Sequence, residues 1–434
     1  MRELLDRSLP DIAGALQSGA LTATALVEAA IARHERFDER LGAYLLWTPE
    51  LARRTAAAAD AAFAAGTIAG PLQGIPVSVK DLFAVSGLPT FAGSGRRLPP
   101  EWEVDGPLIA RLRRQLGVIT GKTHMVAFAL GGTGLNTHYG TPRNPWGAPE
   151  PRAPGGSSSG AGVSLAEGSA FLALGSDTAG SVRMPAAMTG QVGLKVTFGR
   201  WPLAGIVPLS PTFDTPGLLA RSVTDLAYGF AGLDPAWGHW PALAARCGGL
   251  ALAGVRIGLG DAKMWEGCDP GIAEAAQEAL DALAKAGAQV RSTAFPEAVA
   301  AAAIHAEGGT SAAELLSFLE SDLPAWLPEL DPAIAPRVEA VKTLSARDFL
   351  RRLHCVRQLA RAAVARFETV DVFAAPTVTV TPPSFDELAD PARFAEVGRR
   401  VTRNTVPANF LGLCAITLPV GRDRAGLPVG LQLM

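Results

Sequence analysis

Three polar side chains of this sequence have the types and surroundings needed for serine-based hydrolysis. Lys80 ends the alternating apolar run of GIPVSVKDLF, and a lysine buried there has a lowered pKa because burial disfavours its charged form. Ser157 lies in the loop RAPGGSSSGAG, and Ser181 lies in the turn GSDTAGSVRMP. A serine hydroxyl is too weak an acid to attack a carbonyl unaided, but a neutral lysine can take its proton. The three residues could therefore form a relay in which Ser157 passes a proton from Ser181 to Lys80.

The glycines beside Ser181 suggest a second part of such a site. Glycine allows the backbone to approach a substrate closely and to adopt dihedral angles that other residues avoid. The amides of four consecutive residues can then point at a developing negative charge, as in an oxyanion hole. These residues are Thr178, Ala179, Gly180 and Ser181.

Each of these features also has an ordinary structural interpretation. Gly-Ser runs are usually flexible linkers, DTAGS could be a simple Asx-type turn, and Lys80 could reach solvent or pair with Asp81. Periodicity alone does not choose between these interpretations of Lys80. However, no stretch of the chain has the character of an interdomain linker, which weakens the linker interpretation of GGSSSG.

Other chemistries find less support. The GKT of GVITGKTH lacks the spaced glycine of a P-loop, since Leu116 occupies the required position. The six histidines, among them His239, stand in no recognisable triad context, and no G-x-S-x-G elbow surrounds Ser181. The cysteines Cys247, Cys268, Cys355 and Cys414 are scattered without metal-ligand spacing. We therefore expect no metal site and four free, buried thiols, as is usual in a reducing cytoplasm.

The composition describes a large, well-buried protein without an obvious charged partner. The chain has 434 residues, of which 48% are hydrophobic and 18% charged, and its formal net charge is −2. Such a charge predicts neither a nucleic-acid partner nor an anionic membrane partner. The N-terminus lacks the apolar core of a secretory signal, and no stretch of 18 apolar residues occurs.

Helical and strand patterns alternate along the whole chain. Helices are predicted over 8–19, from about Thr22 to 37, over 50–66 and over 345–368, the last with the capping pair Ser345 and Asp348. Strands are predicted near 75–79, 370–380 and 415–421. This alternation predicts an α/β fold with a mixed, largely parallel sheet.

Together the motifs resemble the amidase signature family, serine hydrolases with a Ser-cisSer-Lys triad. The resemblance covers nearly the whole chain, is strongest over 70–230, and rests on GIPVSVKD (74–81), GKTHMVAFA (121–129), TPRNPW (141–146), PGGSSSGAG (154–162), GSDTAGSVRMPA (175–186), GLKVTFGR (193–200), SPTFDTPGLLARSVTD (210–225) and GLPVGLQLM (426–434). It implies one domain over 1–434, with a twisted sheet covered by helices on both faces and a variable, pocket-forming region over 300–410. Related chains continue through a final helix, so a segment beyond Met434 is expected.

The resemblance also implies roles for individual residues. Lys80 would be the general base, Ser157 the relay serine after a cis peptide, and Ser181 the nucleophile. The 178–181 amides would form the oxyanion hole, and neither a metal nor a cofactor is implied. Supporting roles would fall to Ser158, which would position Lys80, and to Asp177 and Arg183, which would brace the turn.

Several positions depart from the usual family pattern. Ala179 replaces a glycine, and Ser159-Gly160 replaces a Gly-Gly pair, both as in some allophanate and carboxybiuret hydrolases. Met184 stands where glutaminase subunits of tRNA amidotransferases tend to have glutamine, which disfavours glutamine as substrate. Ala127 replaces a glutamate without an evident consequence.

The resemblance predicts an amidase acting on a small, mostly uncharged aryl or alkyl amide. Apolar residues of 313–354 and 403–413 could line its pocket, although each could equally belong to the core. Hydrolysis of carbamates, esters or allophanate- and biuret-type substrates by the same residues is an alternative. An amidotransferase subunit or a non-catalytic partner is an alternative of another class. The partners expected are a small-molecule amide or carbamate and possibly a second copy of the chain, in the cytoplasm, with neither nucleic acid nor membrane.

Overall fold

A computed structural model describes residues 4, 7–147, 150–236, 240–247 and 251–434. His239 lies outside these residues. No helix in the described part of the chain is long and apolar enough to cross a membrane.

Sixteen α-helices and eleven strands are described. The helices are α1 Leu9–Gln17, α2 Ala23–Leu41, α3 Pro49–Ala64, α4 Pro107–Arg114, α5 Ser159–Glu167, α6 Arg183–Thr189, α7 Val223–Leu233, α8 Trp240–Cys247, α9 Ile272–Lys285, α10 Pro296–Ala306, α11 Thr310–Asp322, α12 Ala335–Ala340, α13 Ala346–Ala363, α14 Phe385–Ala389, α15 Pro391–Thr402 and α16 Val406–Phe410. The strands are β1 Tyr44–Trp47, β2 Pro76–Lys80, β3 Val118–Thr123, β4 Leu172–Asp177, β5 Val192–Lys195, β6 Thr215–Ala220, β7 Arg256–Gly258, β8 Gln289–Arg291, β9 Val372–Pro376, β10 Ala415–Arg422 and β11 Pro428–Leu433.

The strands form a single mixed sheet in the order β1-β3-β2-β4-β6-β5-β10-β11-β9-β7-β8. The α/β fold is therefore confirmed. Among the described strands four neighbouring pairs are parallel and six are antiparallel, so the antiparallel share exceeds the prediction. The reason is local: β4 runs antiparallel to β6, β5 and β6 pair antiparallel through a long connection, and β10 and β11 form a hairpin.

Helix boundaries follow the capping residues. The Thr22 hydroxyl accepts a hydrogen bond from the Ala25 amide at the start of α2, and Ser345 accepts one from Asp348 at the start of α13, as predicted. Helix α13 ends at Ala363 and continues as 3₁₀-helix over Val364–Glu368. Gly42, in the left-handed conformation, ends α2.

The parallel pairing of β2 with β4 places the residues of interest at one edge of the sheet. Val79 of β2 pairs with Leu174 of β4. Lys80 and Asp177, the last residues of these two strands, therefore lie at neighbouring carboxyl ends. The GKT sequence lies inside β3 and is not a phosphate-binding loop. Carboxyl ends of parallel strands are a usual place for ligand sites.

The cysteines correct one prediction. Cys268, Cys355 and Cys414 are free, but the first two are half-buried and Cys414 is exposed, while the side chain of Cys247 lies outside the described part of the structure. A thiol at the end of a connecting segment need not be buried, because the spacing of isolated cysteines carries no information about depth.

Candidate active site

Lys80 is fully buried and hydrogen-bonded to two serines. Its Nζ donates to Ser157 Oγ at 2.7 Å and to Ser176 Oγ at 2.9 Å. Burial lowers the Lys80 pKa to about 7, although Asp214 and Asp177 oppose the shift. The alternative pairing with Asp81 does not occur, because Asp81 pairs with the buried Lys122 at 3.1 Å. Lys80 can therefore be neutral near neutral pH.

The GGSSSG loop is packed inside the protein and is not a linker. Residues 153–164 are buried, and the Gly156–Ser157 peptide is cis, as the resemblance implied. The loop is tied to the next one because the Ser158 amide donates to the Ser181 carbonyl at 3.3 Å. Ser158 Oγ donates weakly to the Ser176 carbonyl at 3.4 Å and makes no hydrogen bond to Lys80. The predicted positioning role therefore falls to Ser176, which the sequence analysis missed.

A buried ion pair holds the turn between β4 and α6. Arg183 Nη2 lies 3.0 Å from Asp177 Oδ1, and both side chains are fully buried. Burial by itself raises the Asp177 pKa, but Arg183, Lys195 and Asn409 together bring it down to about 2. Asp177 also accepts hydrogen bonds from the Gly180 and Val182 amides. The carboxylate thus braces the turn that carries Ser181, in the position predicted for it.

The amides around Ser181 differ from the prediction at one position. The Gly180 amide donates to Asp177 Oδ1 at 2.7 Å and is therefore occupied. Within the described residues, the amides of Thr178, Ala179 and Ser181 donate to no protein acceptor. Three of the four predicted amides can thus face a substrate oxygen. Gly180 has φ 124°, and a β-carbon there would lie 2.2 Å from Thr405 Oγ1, so only glycine fits.

Two polar residues outside the predicted set support the same turn. Thr178 Oγ1 donates to the buried carboxylate of Asp214 at 2.5 Å, and Asn409 Nδ2 donates to both Asp177 O and Asp177 Oδ1. Asp214 lies within the motif SPTFDTPG, so its motif position was a usable signal. Asn409 comes from α16, more than 200 residues along the chain, and the sequence offered no signal for it.

A cavity of about 450 Å³ opens onto these groups. Ser181, Thr178 and Ala179 lie in its wall together with Met184. The opposite parts of the wall come from three regions: the loop 129–133, helix α15, and the segment from α10 to α12. The predicted variable region over 300–410 thus contributes much of the lining.

The charge of this cavity departs from the expectation of an uncharged substrate. None of its described lining residues is an aspartate or glutamate. Four of them are arginines, namely Arg337, Arg399, Arg400 and Arg403. Arg400 is held by Asp269 at 2.6 Å, and Arg403 donates to the Glu266 carbonyl. His305 also lines the cavity, and burial together with Arg337 lowers its pKa to about 4, so it is neutral at pH 7.

Among the described residues no cluster of three or more histidine, cysteine, aspartate or glutamate side chains could hold a metal ion.

The chain is similar to known proteins over its full length. The amidase family model matches residues 25–434. The chain is 48% identical to 2-amino-5-chloromuconic acid deaminase of Comamonas testosteroni, over 98% of this chain and 92% of the relative. It is 34% identical to one component of the glutamyl-tRNA(Gln) amidotransferase of Salinispora arenicola, over 100% and 94%. A crystal structure of an amidase superposes with a TM-score of 0.86 at 29% identity, over 98% of this chain and 95% of the other. The chain therefore belongs to the amidase family, hydrolases that act on C–N bonds.

Proposed function

We propose that this protein hydrolyses the C–N bond of a small molecule with Ser181 as nucleophile, Ser157 as relay and Lys80 as general base. The observation that carries the proposal is the Lys80–Ser157 hydrogen bond of 2.7 Å, made by a buried lysine whose pKa is lowered to about 7. A lysine of this kind accepts protons in the neutral pH range, as a general base must.

For an amide the cycle has two halves. Neutral Lys80 takes the Ser157 hydroxyl proton while Ser157 takes the Ser181 proton, and Ser181 Oγ bonds to the carbonyl carbon. The Thr178, Ala179 and Ser181 amides stabilise the resulting oxyanion. The proton then passes back to the leaving nitrogen, the C–N bond breaks, and an acyl-enzyme remains. Water adds to the ester, releases the carboxylic acid and restores the Ser181 hydroxyl.

The identity of 48% to 2-amino-5-chloromuconic acid deaminase favours a second candidate reaction. That relative's name describes removal of an amino group from an unsaturated dicarboxylic acid. In such a reaction one water replaces the nitrogen at the carbon that carries it, so that an enamine and water give a ketone and ammonia. The arginine-lined cavity suits an acidic substrate of this kind better than an uncharged one.

Other functions receive less support. The side chain of Met184 lies in the cavity wall, which is consistent with the argument against glutamine as substrate and hence against a role within an amidotransferase. Carbamates and esters remain alternatives, because the same relay attacks their carbonyl groups. We further propose a cytoplasmic location, consistent with the free thiols, a small-molecule partner without nucleic acid or membrane, and possible homodimers.

Hydrolysis of a substrate panel tests the proposal. The panel contains simple amides, acyl anilides, aryl carbamates, esters and 2-amino-5-chloromuconic acid, with release of amine, alcohol or ammonia as the readout. We expect Ser181→Ala to abolish turnover of the preferred substrate. Ser321→Ala, which changes an exposed serine of α11, serves as the control and should match the wild type. Equal activity of Ser181→Ala and the wild type would show that Ser181 is not the nucleophile.

A further inference from the structure

Arg337 presents an uncompensated positive charge to the active-site cavity. Its Nη1 donates to the Leu130 carbonyl at 3.2 Å, and no carboxylate of the described residues lies within 4.0 Å of it. Its surface is accessible from the cavity, although the surrounding protein desolvates the guanidinium and lowers its pKa. An arginine placed in this way has room and unused donors for a planar anion.

Ser311 adds a second unused donor beside Arg337. Its side chain is buried, with 8% of its surface exposed, and Ser311 Oγ has no hydrogen-bond partner in the described structure. Both residues line the active-site cavity and also an adjoining cavity of about 360 Å³. Buried hydroxyls are normally hydrogen-bonded, so an unpartnered one in a cavity wall points to a ligand.

The position of Ser311 in helix α11 strengthens this indication. Ser311 lies in the first turn of a helix of 13 residues, whose first amides have no partner within the helix. The positive end of the helix dipole therefore faces the same region as Arg337 and favours an anion there.

The other titratable groups nearby do not cancel this charge. His305 is neutral at pH 7. The two acidic residues of the adjoining cavity are each paired with an arginine other than Arg337, since Glu307 lies 3.3 Å from Arg352 and Asp348 lies 3.8 Å from Arg351. The net charge around Arg337 thus stays positive.

We propose that Arg337 and Ser311 form a subsite for a substrate carboxylate that is separate from the C–N bond attacked by Ser181. The proposal rests on the hydrolase function proposed above and specifies its substrate class: small acids that carry a distal carboxylate. Arg337 is then a specificity-determining residue for this group.

A matched pair of amides tests the subsite. Adipamate and hexanamide differ only in the distal carboxylate, and the quantity measured is the ratio of their kcat/KM values. We expect the wild type to prefer adipamate by at least tenfold. Arg337→Gln should lower this ratio about 10- to 100-fold, as expected for loss of a charge-assisted hydrogen bond. Ser311→Ala should lower it less, and Arg357→Gln, which removes an exposed arginine of α13, should leave it unchanged.

Binding separates this proposal from the hydrolase proposal. Calorimetry with adipate and the Ser181→Ala protein measures carboxylate binding without turnover, and melting curves confirm that each variant is folded. Weaker adipate binding after a second change, Arg337→Gln or Ser311→Ala, would support the subsite even if neither amide is hydrolysed. Unchanged binding and an unchanged ratio in both variants would overturn it. So would loss of the preference in Arg399→Gln but not in Arg337→Gln.

Discussion

At the scale of single residues, burial gives Lys80 its chemistry. Two lysines of this protein, Lys80 and Lys195, have pKa values lowered to about 7 by burial. They differ in their partners. Lys195 donates to the backbone carbonyls of Val196 and Leu413, whereas Lys80 donates to two serine hydroxyls. Of the two, only Lys80 can therefore exchange a proton with a serine hydroxyl, although both lysines titrate in the same range.

The pH dependence of catalysis follows from the Lys80 pKa. We expect kcat/KM to fall about tenfold per pH unit below an apparent pKa near 7, because protonated Lys80 cannot accept the Ser157 proton. A pH–rate profile on the preferred substrate measures this. His124 and His305 have pKa values lowered to about 4 by burial and cannot account for a midpoint near 7.

Lys195→Met provides the control for this profile, since it removes the other lysine with a pKa near 7. Its midpoint should match that of the wild type. A rate that stays constant down to pH 5 would contradict the role of Lys80 as base.

At the scale of elements, the close approach of α5 to the first strands places Ser157, the proposed relay serine. Gly160 lies in the first turn of α5, and its amide donates to the His124 carbonyl at 2.9 Å. A β-carbon there would lie 2.0 Å from the Ala43 carbonyl oxygen. Ser157 lies two residues before the first residue of this helix, so the position of α5 determines where its hydroxyl meets Lys80.

Gly160→Ala should therefore reduce both stability and activity. We expect a loss of about 1–3 kcal/mol in the free energy of unfolding, because α5 has to shift away from β1. Chemical denaturation and kcat/KM measure the two effects.

Gly14→Ala is the matched control, because nothing lies within 4 Å of a β-carbon added in the middle of α1. It should raise stability by about 0.5–1 kcal/mol, as alanine favours the helix. Similar effects of both substitutions would show that the contact with Ala43 does not constrain α5.

At the scale of the whole molecule, buried lysines couple folding to pH. In the native state Lys80 and Lys195 release protons near pH 7, whereas unfolded lysines hold theirs up to a pKa of about 10.4. Between these values the unfolded chain binds more protons, so the free energy of unfolding rises with pH. The contribution is present in full above about pH 10.4 and is lost progressively as the pH falls to about 7.

We expect each of these lysines to contribute on the order of 1.4 kcal/mol per pH unit between about pH 8 and 10. Chemical denaturation of the wild type and Lys195→Met over this range isolates the share of Lys195, since the variant should show the smaller slope. Equal slopes would mean that Lys195 is protonated in the folded protein across this range.

The sequence was sufficient for several of the helices and strands and for the loops that carry the candidate catalytic serines. Alternating apolar residues, capping serines and Gly-Ser loops are local signals, and they placed β2, α2, α13 and the loops of Ser157 and Ser181 close to their positions in the structure. The burial of individual side chains and their hydrogen-bond partners were harder to predict. Cys414 is exposed, and Lys80 contacts Ser176 instead of Ser158. Each of these depends on which segments meet in space.

Local sequence thus determined which functional groups occur at the site. A lysine at the end of a buried strand and serines in glycine-rich turns can be recognised from the residues that flank them in the chain. Tertiary structure alone decided the charge of the cavity. Arg337 and Ser311 come from α12 and α11, far along the chain from Ser181 and without a motif, yet they line the same cavity. Both side chains keep unused hydrogen-bond donors because, among the described residues, too few acceptors pack close enough to them. No spacing encodes such a property, because it arises from the packing of the whole chain.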